Sequence, residues 1–185
     1  LAGSSNKTGT QNTFVGTDAG RANTDGSNNI FVGFQAGPKN LTGKENTFVG
    51  TDAGNANTTG GENSFFGLHA GYKNNEGYYN SFFGYQAGNR NEKGEYNTFI
   101  GHSAGYSNTD GKNNTYIGDY AGYLTKGSGN VFLGNEAGYD EESSDNKLFI
   151  DNSNTPTPLI WGDFDANKII IYGGFQAFSN HSTSD

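Results

Sequence analysis

The chain has 185 residues, 30 of them glycine, with no cysteine, no methionine and a formal net charge of −8. Leu, Ile, Val and Phe together make only about 18% of it, too little at that charge for an ordinary globular core. Disulfides, thiolate metal sites and cysteine nucleophiles are excluded, the acidic balance disfavours nucleic acid as a partner, and no run approaches a membrane span or reads as a secretory leader.

The start at Leu1 is compatible with a segment whose address lies elsewhere. Residues 1–11 (LAGSSNKTGTQ) are polar and are expected to form a partial first coil or an attachment to an upstream stem. From residue 12 the chain is periodic. Asn12, Asn29, Asn46, Asn63, Asn80, Asn97 and Asn114 lie 17 apart, and two steps of 16 reach Asn130 and Asn146. Eight copies of one phrase follow: NTFVGTDAG, NIFVGFQAG, NTFVGTDAG, NSFFGLHAG, NSFFGYQAG, NTFIGHSAG, NTYIGDYAG and NVFLGNEAG. A ninth, NKLFIDNSN, is degenerate. Each phrase opens with β-prone residues and then a glycine. A second short segment follows Ala-Gly, and then a turn rich in Asn, Thr, Asp and Gly. No segment is long enough for a helix.

One repeat therefore reads as strand, tight turn, strand, tight turn. The fold class is all-β: a parallel, β-roll-like solenoid of 16–17-residue coils over residues 12–145, with rungs about 4.8 Å apart and nine rungs spanning about 40 Å. The strand-start Asn residues (Asn29, Asn46, Asn63, Asn80, Asn97, Asn114) are expected to form an amide ladder along the axis. The first glycine should close the coil, and the Ala-Gly pair should let another backbone pass close by. A ligand site built from these Asn and Gly residues is the alternative, but stacking alone already requires one residue type in every rung.

Neighbouring strand positions point to opposite faces, and both are apolar here. One column holds Phe48, Phe65, Phe82 and Phe99 with their equivalents; the next runs from Val15 to Leu133. A coil has one interior, so one column fills it and the other must be covered from outside. Parallel, in-register self-association covers it, and a homotrimer is expected. A monomer whose outer turns shelter the second column is the competing reading. Which column faces inward is open at this point.

Catalysis needs convergent titratable groups, and none are apparent. His69 and His102 fall two rungs apart, roughly 10 Å along the axis, too far to share a metal. Asp18 and Asp52 are equally separated, and His181 lies in the tail. No enzyme activity, cofactor or metal is expected. Asp140, Glu141, Glu142 and Asp145 read as a solvated turn rather than a calcium site. Binding would reside at variable positions. Tyr72, Tyr106, Tyr123 and Tyr139 follow Ala-Gly, while Tyr78, Tyr79 and Tyr96 sit in turns. Exposed tyrosines among Asn and Asp suit the faces and hydroxyls of sugars; shielding of edges between chains is the plainer role. A partly Thr row (Thr13, Thr47, Thr98, Thr115) also raises ice binding as an alternative.

Residues 146–178 break the pattern. LFID, PLIWGDF and KIIIYG read as three short strands with Pro156 and Pro158 between the first two. Trp161 and Ile169 to Tyr172 are expected to plug the last rung.

The phrase NTFIGHSAG, followed by a polar turn and NNTYIG, resembles the head repeats of trimeric autotransporter adhesins, whose shorter repeats form a trimeric β-roll. The repeats with NKLFIDNSNTPTPLIWGDFDANKIIIYG (146–173) more closely resemble the stem of tail-fibre-like proteins of phages and bacteria. Those often end in an endosialidase-type intramolecular chaperone that opens with Ser-Asp. The resemblance implies a self-associating fibre segment, on a virion or a bacterial surface, that attaches to a cell-surface receptor or glycan without entering a membrane. It also implies that residues 179–185 lead to an autocleavage junction at Ser184 and Asp185.

Overall fold

The computed structural model describes residues 1–174 and contains no helix among them. Eight three-residue strands recur once per coil: β1 (Thr13–Val15), β2 (Ile30–Val32), β3 (Thr47–Val49), β4 (Ser64–Phe66), β5 (Ser81–Phe83), β6 (Thr98–Ile100), β7 (Thr115–Ile117) and β8 (Val131–Leu133). Three longer ones follow: β9 (Lys147–Ile150), β10 (Ile160–Asp163) and β11 (Lys168–Ile171). They form one sheet in chain order. From β1 to β9 the pairing is parallel and in register, so that Phe48 lies on Phe65 and Phe65 on Phe82. The fold is a parallel β-solenoid.

The phenylalanine column faces inward. Phe31, Phe48, Phe65, Phe82, Phe99, Tyr116 and Phe132 are fully buried. Their rings stack along the axis, 4.8 Å apart and within 6° of parallel from Phe31 to Phe82. Each ring's edge meets the Ala-Gly corner. The alanines are buried, and a Cβ on Gly88 would lie 2.4 Å from the Phe82 ring, at a backbone φ of 58°. The small pair therefore makes room for the ring of its own coil, rather than for a passing backbone. The first glycine does face a backbone: a Cβ on Gly84 would lie 2.3 Å from the carbonyl oxygen of Gly101 in the next coil.

The expected second strand does not form. The residue before Ala and the residue before each strand-start Asn adopt left-handed backbone, as at Gln86 (φ 56°) and Tyr96 (φ 58°). Two reversals per coil curl this stretch into stacked turns instead of a second ladder. Its backbone groups are still paired from rung to rung, as in Gly88 N–H to Ala104 C=O (2.9 Å) and Gln86 N–H to Leu68 C=O (2.9 Å).

Two columns of buried asparagine complete the interior, and they bond differently. Each strand-start Asn bridges its own coil: Asn80 donates its amide to Gly94 C=O (2.8 Å), and its side-chain oxygen accepts the backbone N–H of Asn97 (3.0 Å). Amide-to-amide contacts are secondary here, at 3.2 Å for Asn63–Asn46, Asn80–Asn63 and Asn97–Asn80. The stronger amide ladder is the other column, where Asn40, Asn57, Asn74, Asn91 and Asn108 each donate to the Asn one coil earlier at 2.7–2.9 Å. A buried amide left unpaired is costly, so these bonds fix the register of every rung.

Residues 1–11 form the second half of a coil: Gly3 bonds Ala19 (2.9 Å), and Asn6 begins the amide ladder by accepting from Asn23 (2.8 Å). The period slips once, not twice. Thr115 pairs with Val131, but Val131 pairs with Leu148 and Phe132 with Phe149. Lys147, not Asn146, thus takes the strand-start place, its N–H bonding Asn130 Oδ1 (2.9 Å). The missing residue falls in the turn around Lys126, where a turn can shorten without disturbing the rings.

That shortened coil carries two departures that fit each other. Thr125 stands where the ladder would continue from Asn108, leaving Asn108 Oδ1 without a donor. Tyr116 stands in the phenylalanine column, its hydroxyl facing Thr125 and Asn130 without a well-formed bond to either. Burial pushes the Tyr116 phenol up, with those two neighbours only softening the shift. Because the folded pKa is raised, the stability that depends on neutral Tyr116 is intact below about pH 10 and falls as pH rises above it. Tyr116→Phe should therefore gain about 1 kcal/mol by removing an unpaired hydroxyl and should lessen the alkaline loss of stability, to which the raised phenols of Tyr79 and Tyr123 also contribute. Denaturant melts at neutral pH and above pH 10 check both; a destabilised variant would contradict the reading.

At the other end β10 folds back antiparallel on β9, and β11 on β10. Trp161 packs against the core beside Phe149, whereas Ile169, Ile171 and Tyr172 remain exposed. Of these residues the tryptophan is the one packed on the core; Ile170, paired opposite it, is half-buried, Ile169 and Ile171 alternate to the other face, and Tyr172 follows the end of β11. Backbone N–H of Leu159 on Asp151, and Lys147 on Asp163, hold these carboxyls below the usual range. A lowered folded pKa stabilises above the unfolded value, near pH 4, and the gain is lost as pH falls through the folded one. The buried polar side chains of the coils are amides and hydroxyls, which do not titrate. Asp18 and Asp25 in the first coil are lowered likewise, by the N-terminal amine and by the Thr8 hydroxyl, so acid should loosen residues 151–174 and the first coil before the coils between them. The emission of Trp161, the single tryptophan, is expected to shift red below about pH 4 before the far-ultraviolet dichroism of the coils changes; simultaneous loss would count against it.

Candidate functional site

The outer face of the sheet carries the second apolar column: Val15, Val32, Val49, Phe66, Phe83, Ile100, Ile117 and Leu133. Its members are partly or largely exposed, with Val15 at 55% and Ile100 at 40%. Phe66 and Phe83 stack at 4.8 Å. The column two residues further on adds exposed Phe34, Leu68 and Tyr85. The outer turns of the chain do not shelter this face, so eight rungs present one continuous apolar stripe.

The tyrosines named from sequence fall into two groups. Tyr79 and Tyr96 stack at 4.7 Å and 8°, about half exposed. Tyr78 leans beside them and donates its hydroxyl to Thr59 C=O (2.7 Å). The Glu62 carboxylate at the Tyr79 hydroxyl pushes that phenol above its ordinary value. Tyr106 and Tyr123 form another stack at 5.0 Å, continued by Tyr139 at 5.0 Å, with the Arg90 guanidinium 5.3 Å from the centre of the Tyr106 ring. Tyr72 stands apart, edge-on to His69 at 5.2 Å. Sequence reasoning missed Tyr120, which meets Tyr123 edge-on at 5.4 Å. The signal was an aromatic in the place where other coils carry Asp, Gln, His, Ser or Glu.

Two histidines pair across rungs with single carboxylates, His69 with Asp52 (3.5 Å) and His102 with Asp119 (3.0 Å). Among the described residues no three metal-binding groups converge. Asp140 accepts from Asn154 (2.7 Å), Asp145 accepts Ser128 N–H (2.6 Å), and Glu141 contacts Ser144. These carboxylates are engaged in turn bonds. Ser184, Asp185 and His181 lie outside the described residues.

What the coils define is a β-solenoid repeat protein. No family model matches the chain, and no curated protein or solved structure matches it either.

Proposed function

We propose that the chain is a structural and adhesive fibre segment that associates in parallel with two further copies of itself and displays attachment surfaces without catalysing a reaction. The observation that carries this is the apolar stripe, exposed on one face of a chain whose interior is already filled. Its residues repeat at the 4.8 Å spacing of the rungs, so only a partner with the same pitch can match it rung for rung. A second copy in register has that pitch; an unrelated globular surface does not. Three is the number that the resemblance to trimeric adhesin and tail-fibre stems implies, together with an extracellular place on a virion or bacterial surface and a receptor or glycan as target.

Light scattering of the purified chain tests the assembly, and a mass three times that of one chain is expected. A monomer at micromolar concentration would overturn it. Ice binding is the competing use of a regular outer face. Here bulky Phe66 and Phe83 flank the partly Thr row, which spoils a flat hydroxyl lattice; thermal hysteresis in solution would reverse that judgement.

A further inference from the structure

We infer that the lower end of the Tyr106–Tyr123–Tyr139 column is a binding site for a neutral sugar ring. The inference deepens the attachment reading above and rests on it. Both faces of Tyr123 are taken by its neighbours, and Arg90 covers Tyr106. Tyr139 ends the column. No complete coil follows it, and among the described residues no further aromatic or cation stacks on it. Beside it a cavity of about 330 Å³ is lined by Tyr120, Tyr123, Glu136, Tyr139 and Asn154, a size within the range of small-ligand pockets. Tyr120 and Glu136 both stand on left-handed backbone, with φ of 54° and 56°. A bulky aromatic rarely accepts that conformation, and here it sets the Tyr120 ring edge-on as a side wall.

The chemistry of the lining selects the ligand. The ring of Tyr139 offers an apolar platform with a polar tip, which suits the C–H face of a pyranose. Asn154 gives one amide N–H to Asp140 at 2.7 Å, which leaves its second N–H to donate and its carbonyl oxygen to accept. Glu136 can only accept when ionised. Neither Glu136 nor Asp140 forms an ion pair among the described residues. With the phenol hydroxyls and the remaining Asn154 N–H as donors beside these acceptors, the lining suits a ligand whose groups both donate and accept, as sugar hydroxyls do. The same carboxylates repel sialic and uronic acids. The Tyr120 and Tyr139 ring centres are 6.1 Å apart, too close for a quaternary ammonium to sit between the two faces.

Saturation-transfer NMR on the full chain tests this, with neutral methyl pyranosides and disaccharides as probes and with sialic acid and choline alongside at millimolar concentration. At least one neutral sugar should receive saturation. Its affinity should fall about tenfold or more in Tyr139→Ala, the loss of one aromatic platform, and measurably in Glu136→Gln. Lys93→Ala, coils away from the cavity and paired with Glu76, should leave it unchanged. Glu136→Gln keeps the size of the side chain, so it still reports should Tyr139→Ala disturb the fold seen by circular dichroism. The inference is overturned by no neutral sugar binding, by binding indifferent to both variants, or by preference for choline or sialic acid. Light scattering on the same samples separates the two proposals. A monomer that binds the sugar removes the assembly and keeps the site; a trimer that binds none of the neutral probes removes the site and keeps the assembly.

Discussion

Phe82→Asp is expected to abolish the folded state of the single chain. Phe82 is fully buried, with Phe65 at 4.8 Å on one side and Phe99 at 4.9 Å on the other. Removing such a ring costs about 3–5 kcal/mol, and the carboxyl that replaces it has no partner in a dry stack. Together these reach the whole stability of an ordinary domain, about 5–15 kcal/mol. The loss should also spread, because each rung is the template for the next. No cooperative thermal transition should remain in far-ultraviolet dichroism. A variant that melts within a few degrees of the parent would show that the ring column does not hold the coils together. The contrast is Lys93→Ala. Lys93 meets Glu76 at 3.3 Å, with both side chains about half exposed. Such pairs contribute about 0–1 kcal/mol, so this variant should be nearly silent.

One residue further along the same strand the expected outcome reverses. Phe83 and Ile100 point outward and are 39% and 40% exposed. The double variant Phe83→Asp, Ile100→Asp places two like charges on adjacent rungs of the stripe, where water can still reach them in a lone chain. Folding should survive. Self-association should not, because burying those charges between copies would leave them unpaired. Light scattering should then report a single chain where the parent reports three, with unchanged dichroism. A variant that keeps the parent's mass would place the interface elsewhere. The neighbouring pair of positions, 82 and 83, thereby separates what folds one chain from what joins several.

The alternation of strand residues made two columns legible from sequence, together with the need to hide one of them inside. The Asn recurrence made the parallel register legible as far as Asn130. Three features were not readable. The left-handed residues carry no fixed type, since Asp18, Gln86 and Tyr120 share one place and glycine marks it in no coil; the second segment therefore looked like a strand. The last step was misjudged because Asn146 copied the motif one residue too early, while the register followed Phe149 onto Phe132. For the aromatic cleft, Tyr106, Tyr123 and Tyr139 share a repeat position, but Tyr120, Glu136 and Asn154 join them only because the corner of the last coil meets the loop after β9. A repeat pattern describes what coils have in common and is silent about where they stop.

From the second coil to the sixth, each coil begins and ends with the same contacts, an aromatic ring above and below and an amide handed on from the previous turn. Inserting or deleting one whole 17-residue unit would therefore rejoin like surfaces and lengthen or shorten the molecule by one 4.8 Å step. Gene duplication can thus act on this protein as on a ruler, setting how far its tip stands from its base without redesigning a single packing contact.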